Sequence, residues 1–393
     1  MLKSQGHTMA ASEREQDLRL YFTREPVILA LLFALAVVLF LAVSGLSRIY
    51  HAQQESLGNR WFARGVADLK EQDFERAVRE FRTALLYSRD NYSYQLNLAE
   101  ALIGLKRTNE AYAYLVNLWE REPENGLVDL ELARIGAQKG QTEQALRYYH
   151  DAIYATWPGN QQVERRDTRL ELVGFLLGIN AKTQAQSELI ALAANLADDA
   201  SEQARVGDLF LQAQDYEHAL AEYHLSLKSG RHNPVALAGA GRAAFELGRY
   251  DLAQRYLQAA VSANPSDAQS AFRLETTELV LQLDPFRRQL SVAQRNRIVI
   301  EAFAAAGQRL KSCSAAGDSR GPVSSATSQQ SLVENWAKMK PQITERGLRR
   351  NPDLLEAAMD LVFDIERLAS AACGSPAGTD MALLLIAKLH EGS

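Results

Sequence analysis

His218, His224 and His232 crowd one short stretch of the chain. Histidine is the side chain most often used to hold a transition metal or to move a proton near neutral pH. Ligation from one helix needs spacings of three or four, and these are six and eight, so the three do not share a helical face. They read as surface histidines. "GAGRAA", 239–244, approximates the glycine loop that cradles a dinucleotide, but that loop must follow a strand. "NPVALA" stands in its place. The paired acids Asp198 and Asp199 read as a solvated end rather than an acid–base dyad. Arg287, Arg288, Arg295 and Arg297 form a basic cluster, read as a solvated face, with an acidic partner or lipid headgroup as the alternative.

Cys313 and Cys373 are the only two cysteines, which excludes a four-thiolate metal site. Each follows a predicted helix end, near Leu310 and Ala372, where side chains of two packed helices can meet. A Cys313–Cys373 disulfide is one reading, allowed if this part of the chain lies outside the cytoplasm. Two unrelated buried thiols are the other. No GxSxG, HExxH, CxxC or Walker loop occurs. The expectation is therefore no catalytic, cofactor-binding or metal residues, no cofactor, no small-molecule substrate and no enzyme activity. An unrecognised enzyme site in the C-terminal helical region is kept as an alternative.

The elements that position these residues are helical. Of 393 residues, 47% are hydrophobic and 23% charged, the balance of a folded protein. The formal net charge of −5 carries no basic signature for nucleic acid. Residues 27–43, "VILALLFALAVVLFLAV", have no polar side-chain atom. With Ser44, Gly45 and Leu46 they make a stretch of about 20 residues, one bilayer core as a helix. Pro26 suits a helix start. The span is assigned as 26–47, after a leader over 1–25. A buried core helix is one alternative, and a cleaved signal peptide is the other, since Ala42-Val43-Ser44 resembles a cleavage site. Lys3, Arg14, Arg19 and Arg24 precede the span and Arg48, Arg60 and Arg64 follow it, so charge discriminates orientation poorly. A signal anchor in the cytoplasmic (inner) membrane, N-terminus inside and the rest outside, is the expected topology.

Beyond the span the sequence repeats. Ala77, Ala111 and Ala145 are 34 residues apart, as are Phe81, Leu115 and Tyr149, and Ala84, Leu118 and Ala152. Gly65, Ala99 and Ala133 hold the same register upstream. After a six-residue insertion near 160–165 the register resumes with Ala185, Ala219 and Ala253, and with Leu189, Tyr223 and Leu257. Gly207 and Gly241 fall twelve before Ala219 and Ala253, and Pro123 and Pro265 close their units. Spacings of four and three within each trio put its members on one helical face. Trp61, Gly65, Phe74, Ala77, Phe81 and Ala84, and again Gly241, Gly248, Tyr250, Ala253, Ala260 and Pro265, follow one pattern of small and large residues.

That pattern resembles the tetratricopeptide repeat, a unit of two helices and 34 residues. The resemblance gives six units: 58–91, 92–125, 126–159, 166–199, 200–233 and 234–267. It implies an all-α solenoid in which small residues let helix A approach helix B of each unit. The large residue of each trio is expected to fill space against the next unit. The resemblance also implies a partner-binding groove on the A helices, comprising Phe62, Leu96, Asn97, Glu100, Leu130, Arg134, Leu170, Arg205, Asp208, Arg242 and Phe245. Several of these are expected merely to pack. The lysine–asparagine set that clamps a C-terminal carboxylate in some relatives is missing. The groove suits a peptide or helix of a protein partner.

The remaining chain reads as capping helices over 268–311, a mobile linker over 312–331 and a C-terminal helical region over 332–393. Helices there are expected at 332–349, 353–372 and 379–390, with Leu355, Met359, Val362, Phe363 and Leu368 on a buried face. The expected function is a membrane-anchored scaffold or adaptor in assembly of a cell-envelope complex. An accessory role in cytochrome c maturation or secretion is the alternative that similar membrane-anchored repeat proteins suggest.

Overall fold

The computed structural model describes residues 6–196, 198–316 and 323–391. Side chains before Ile28 and over 314–328, Lys3 and the other leader cations among them, lie outside that description, as does the centre of the expected linker. The described residues form helices and divide into two compact units, 1–168 and 169–393.

Helix α1, Gly6–Lys70, is 65 residues long. Leu29, Phe33 and Phe40 on it are 66%, 73% and 70% exposed. By length and composition this is the one helix among the described residues able to cross a membrane. No break separates the apolar stretch from 58–70, because 46–57 contains neither proline nor glycine. The first repeat's A helix is thus the end of α1, packed against α2 (Phe74–Tyr87). Pairs α3 (Tyr92–Gly104) and α4 (Thr108–Arg121), then α5 (Gly126–Gln138) and α6 (Thr142–Tyr154), complete the hairpins of the first unit. Helix α7, Gln161–Gly178, begins before residue 166 because the insertion is taken up as extra helix at its N-terminus.

The second unit holds α8 (Lys182–Ala193), then the hairpins α9 (Ala200–Gln212) with α10 (Tyr216–Ser229) and α11 (Pro234–Glu246) with α12 (Tyr250–Ala263). Two local devices recur with the repeat. Asn91 and Asn125, and Asp199, Asn233 and Asp267, sit 34 apart, and each accepts hydrogen bonds from backbone N–H groups in the first turn of its A helix. The turns between A and B pass through a left-handed residue at Gln72, Lys106 and Gly140, and again at Asn180, Gln214 and Gly248. That single residue reverses the chain in the shortest way, at about 1–2 kcal/mol where it is not glycine.

Every trio of the B helices is interior. Ala77, Phe81 and Ala84 are each 0% exposed, and Ala111, Ala145, Ala185, Ala219 and Ala253 likewise. The packing differs from the sequence expectation in one respect: the large residue closes its own hairpin first. A Cβ on Gly65 would stand 2.6 Å from the Phe81 ring, and one on Gly241 2.7 Å from Leu257 Cδ2. Tyr223 does both jobs, lying over Gly207 of its own hairpin and over Gly239 of the next. Small opposes small at Gly136, whose Cβ would meet the Ala145 backbone at 3.2 Å.

The C-terminal helices join the core of the second unit. These are α13 (Ala268–Leu283), α14 (Val292–Ala316), α15 (Val323–Met339), α16 (Glu345–Arg350), α17 (Asp353–Ala372) and α18 (Thr379–His390). Val280, Val299, Phe303, Met359, Val362 and Ile386 belong to one cluster. Leu368, expected on the buried face of α17, is half-buried. The expected linker 312–331 needs correction: α14 continues to Ala316 and α15 starts at Val323. Its Ser/Gly/Ala composition suggested mobility, but alanine favours helix, and Leu310 and Cys313, one turn apart, are buried. The expected helix 332–349 is split, because Pro341 interrupts it and Thr344 caps α16 anew. Trp336 of α15 stacks on Phe303, centroids 5.7 Å apart, and its indole N–H donates to the Phe303 carbonyl. Cys313 and Cys373 are bonded, with Cα atoms 5.5 Å apart. Beside them Arg309 pairs with Asp380 at 3.2 Å.

Two stability outcomes are expected. Ala145→Leu overpacks the α5–α6 contact and costs about 1–3 kcal/mol, read as a lower thermal midpoint; an unchanged midpoint refutes the close approach. Reducing the Cys313–Cys373 bond, across 60 residues of sequence, releases unfolded-chain entropy worth about 4 kcal/mol. The denaturation midpoint of the second unit should fall with reductant, and an unmoved midpoint shows that the bond contributes nothing.

Candidate functional site

In a helical hairpin array the A helices offer the surface on which side chains from successive hairpins converge. In the first unit they bring few free groups together. Phe62 of α1 is packing: its ring stacks on Tyr94 at 4.9 Å and packs on Phe81 at 5.7 Å. Leu130 is 8% exposed and interior, whereas Phe62 is half-buried. Leu96 is half-buried, and the Asn97 amide donates to the Ser93 carbonyl of its own helix. Arg134 pairs with Glu131 at 2.6 Å. Desolvation, and then the charge of Glu131, push the Glu100 carboxyl up.

The second unit differs. A cavity of about 300 Å³ lies between α9, α11 and α13, with the end of α12 closing it. Asp208 and Arg242, both named from the sequence, line it; Leu170, Arg205 and Phe245 do not. Phe245 instead meets Tyr250 edge-on at 5.7 Å and packs against the C-terminal core. Leu211, Val235, Ala238 and Ala260 supply apolar wall. Asp208 is held by Tyr223, whose hydroxyl donates to it; burial first, then that bond, push the Tyr223 phenol up.

Arg273 also lines the cavity and was missed by sequence reasoning. Extending the 34-residue register one unit further, from Ala268, puts Gln269 and Arg273 at the A-helix positions that bear groove residues in earlier units. Treating α13 as a cap hid that signal. Burial of Arg273, and then the neighbouring charge of Arg242, pull the Arg273 guanidinium down.

A second missed residue is Asp129 of α5, 0% exposed and with both carboxylate oxygens lacking a hydrogen bond. Burial, and then the charge of Asp151, push its carboxyl up from 3.8 to about 7. The Trp119 indole N–H partly offsets this without forming a well-shaped bond. No alternation in the sequence marks the residue, since its burial arises from α4 and α6 closing over it. Among the described residues no group of three or more His, Cys, Asp or Glu gathers to hold a metal.

Because the folded Asp129 keeps its proton up to about pH 7, the native state binds a proton that the unfolded chain has released. That contribution is favourable as pH falls from about 7 towards 4, and ionisation above it costs stability. Asp129→Asn is therefore expected to raise stability at pH 8 by about 1–3 kcal/mol, and to lose that advantage below pH 4. Denaturation of both proteins across this range checks it; parallel pH curves refute it.

Two sequence-family models, both described as "Tetratricopeptide repeat", match residues 68–135 and 239–274. No curated protein matches the chain. Solved structures resemble it distantly. The C-terminal part of a TPR repeat-containing protein from Cytophaga hutchinsonii is 12% identical, with a TM-score of 0.44 over 61% of this chain and 92% of that one. YrrB, a TPR protein with an unusual peptide-binding site, is 15% identical at 0.39, over 49% and 95%. Pseudomonas aeruginosa pilF is 17% identical at 0.37, over 56% and 97%. With the matched repeats, the recurrent caps and the glycine-to-ring contacts together, the chain carries the fold of the tetratricopeptide-repeat superfamily.

Proposed function

We propose that this protein is a membrane-anchored adaptor that binds a segment of a protein partner on its A helices, in assembly of a cell-envelope complex. The observation that carries the reading is the cavity between α9, α11 and α13, with apolar walls and charged side chains at one surface. Anchoring is supported by the apolar stretch of α1, which no other described residue covers. The disulfide supports an oxidising location for the second unit, hence an N-terminus inside and repeats outside the cytoplasmic membrane. Arg134 is a poor reporter of binding, since reversing it would set two acids against each other at Glu131.

A photo-crosslinking residue at Ala238, in the cavity wall, is expected to give a discrete protein adduct in native membranes. The same residue at Leu86, an 84% exposed position on α2, should not. Mass spectrometry of the adduct names the partner. No adduct at Ala238, or equal adducts from both sites, overturns the groove reading.

A further inference from the structure

Four charged side chains line the cavity: Asp208, Arg242, Asp267 and Arg273. The two acids are already engaged. Asp208 accepts from the Tyr223 hydroxyl. Asp267 caps α13, accepting from the backbone N–H of Gln269 at 3.1 Å and of Ser270 at 3.2 Å, and from the Ser270 hydroxyl at 2.6 Å. Those bonds hold its carboxyl below the usual range, so it stays an engaged anion.

The two arginines are not engaged in the same way. Arg242 is exposed and makes no ion pair within 4 Å among the described residues. Arg273 is half-buried, and its one hydrogen bond, to Gln269 Oε1, is long at 3.4 Å. Glu246 and Asp267 favour its charge at a distance, but burial and the facing Arg242 outweigh them. Two guanidinium groups of like charge thus line one concave space whose two carboxylates already accept hydrogen bonds from Tyr223, Ser270 and the backbone. A carboxylate placed there would gain two charge-assisted, forked contacts and relieve the mutual repulsion. The surface beside them is apolar, with Val235 54% exposed.

We propose that the partner segment taken by this cavity carries an aspartate or glutamate side chain, held by Arg242 and Arg273, next to an apolar side chain seated against Leu211, Val235 and Ala238. The proposal rests on the groove reading above and adds the chemistry of the bound segment. Arg242 comes from α11 and Arg273 from α13, so recognition requires both helices in register.

The test uses the full chain in nanodiscs and a phage library of random dodecapeptides fused at their C-termini, so that no free terminal carboxylate is presented. Selected peptides are expected to be rich in Asp or Glu beside an apolar residue. As amidated synthetic peptides they should lose about tenfold or more in affinity when the acid becomes its amide, and similarly on Arg242→Gln with Arg273→Gln. In that double variant the acid-to-amide change should have no further effect. Arg242→Gln alone removes an exposed side chain, and a retained thermal midpoint separates lost binding from lost folding. Peptides that bind without an acid, or equally well to the double variant, overturn the arginine assignment and leave the groove reading standing. A library that enriches nothing, or peptides that fail to block crosslinking at Ala238, overturns both.

Discussion

Each hairpin depends on how closely its two helices can lie. Where helix A carries glycine, the large side chain of helix B rests directly on the A backbone, as Phe81 does on Gly65 and Leu257 on Gly241. A fully buried ring or leucine contributes about 1.5–3 kcal/mol, but only if nothing holds the helices apart. The two halves of the pattern are therefore one constraint, since the small residue creates the slot and the large residue fills it. Tyr223 shows how the constraint propagates, because its ring also occupies the slot over Gly239 of the following hairpin. Its hydroxyl emerges at the cavity edge to engage Asp208. Packing and the character of the candidate site are thus joined through one side chain.

Charge is distributed unequally along the A helices. In the first unit Arg134 is neutralised by Glu131, and Asp129 sits out of contact with water. In the second unit the carboxylates of the cavity are used for a cap and for Tyr223, and Arg242 and Arg273 line the same space. The net charge of −5 over the whole chain does not show this local arrangement of two acids and two arginines around one cavity. Local pairing, rather than composition, sets what a concave surface can attract.

The C-terminal helices close the apolar face that a repeat array otherwise leaves open. Leu283 of α13 and Phe303 of α14 share a core with Val362 of α17 and Ile386 of α18. The bond between Cys313 and Cys373 and the pair of Arg309 with Asp380 hold α14, α17 and α18 together at one edge. His390 reaches back to Asp284 at 3.3 Å, tying the last helix to the end of α13. At the other end of the chain, α1 carries the apolar stretch and the first repeat helix on one uninterrupted backbone.

The sequence by itself determined the repeat and its register, because a 34-residue period of small and large residues is a local property that each hairpin imposes separately. It also determined the apolar stretch of α1 and placed Asp208 and Arg242 on A helices. The asparagine and aspartate caps, spaced like the repeat, are legible in it too. Only the tertiary structure decided which large residue fills which slot, since spacing cannot tell a residue's own hairpin from the next. It alone showed Phe62 packed on Tyr94, Leu130 buried, Arg273 beside Arg242, and serine-rich sequence around Cys313 held as helix. The common reason is that burial and charge pairing belong to contacts between distant segments, whereas periodicity belongs to the backbone of one.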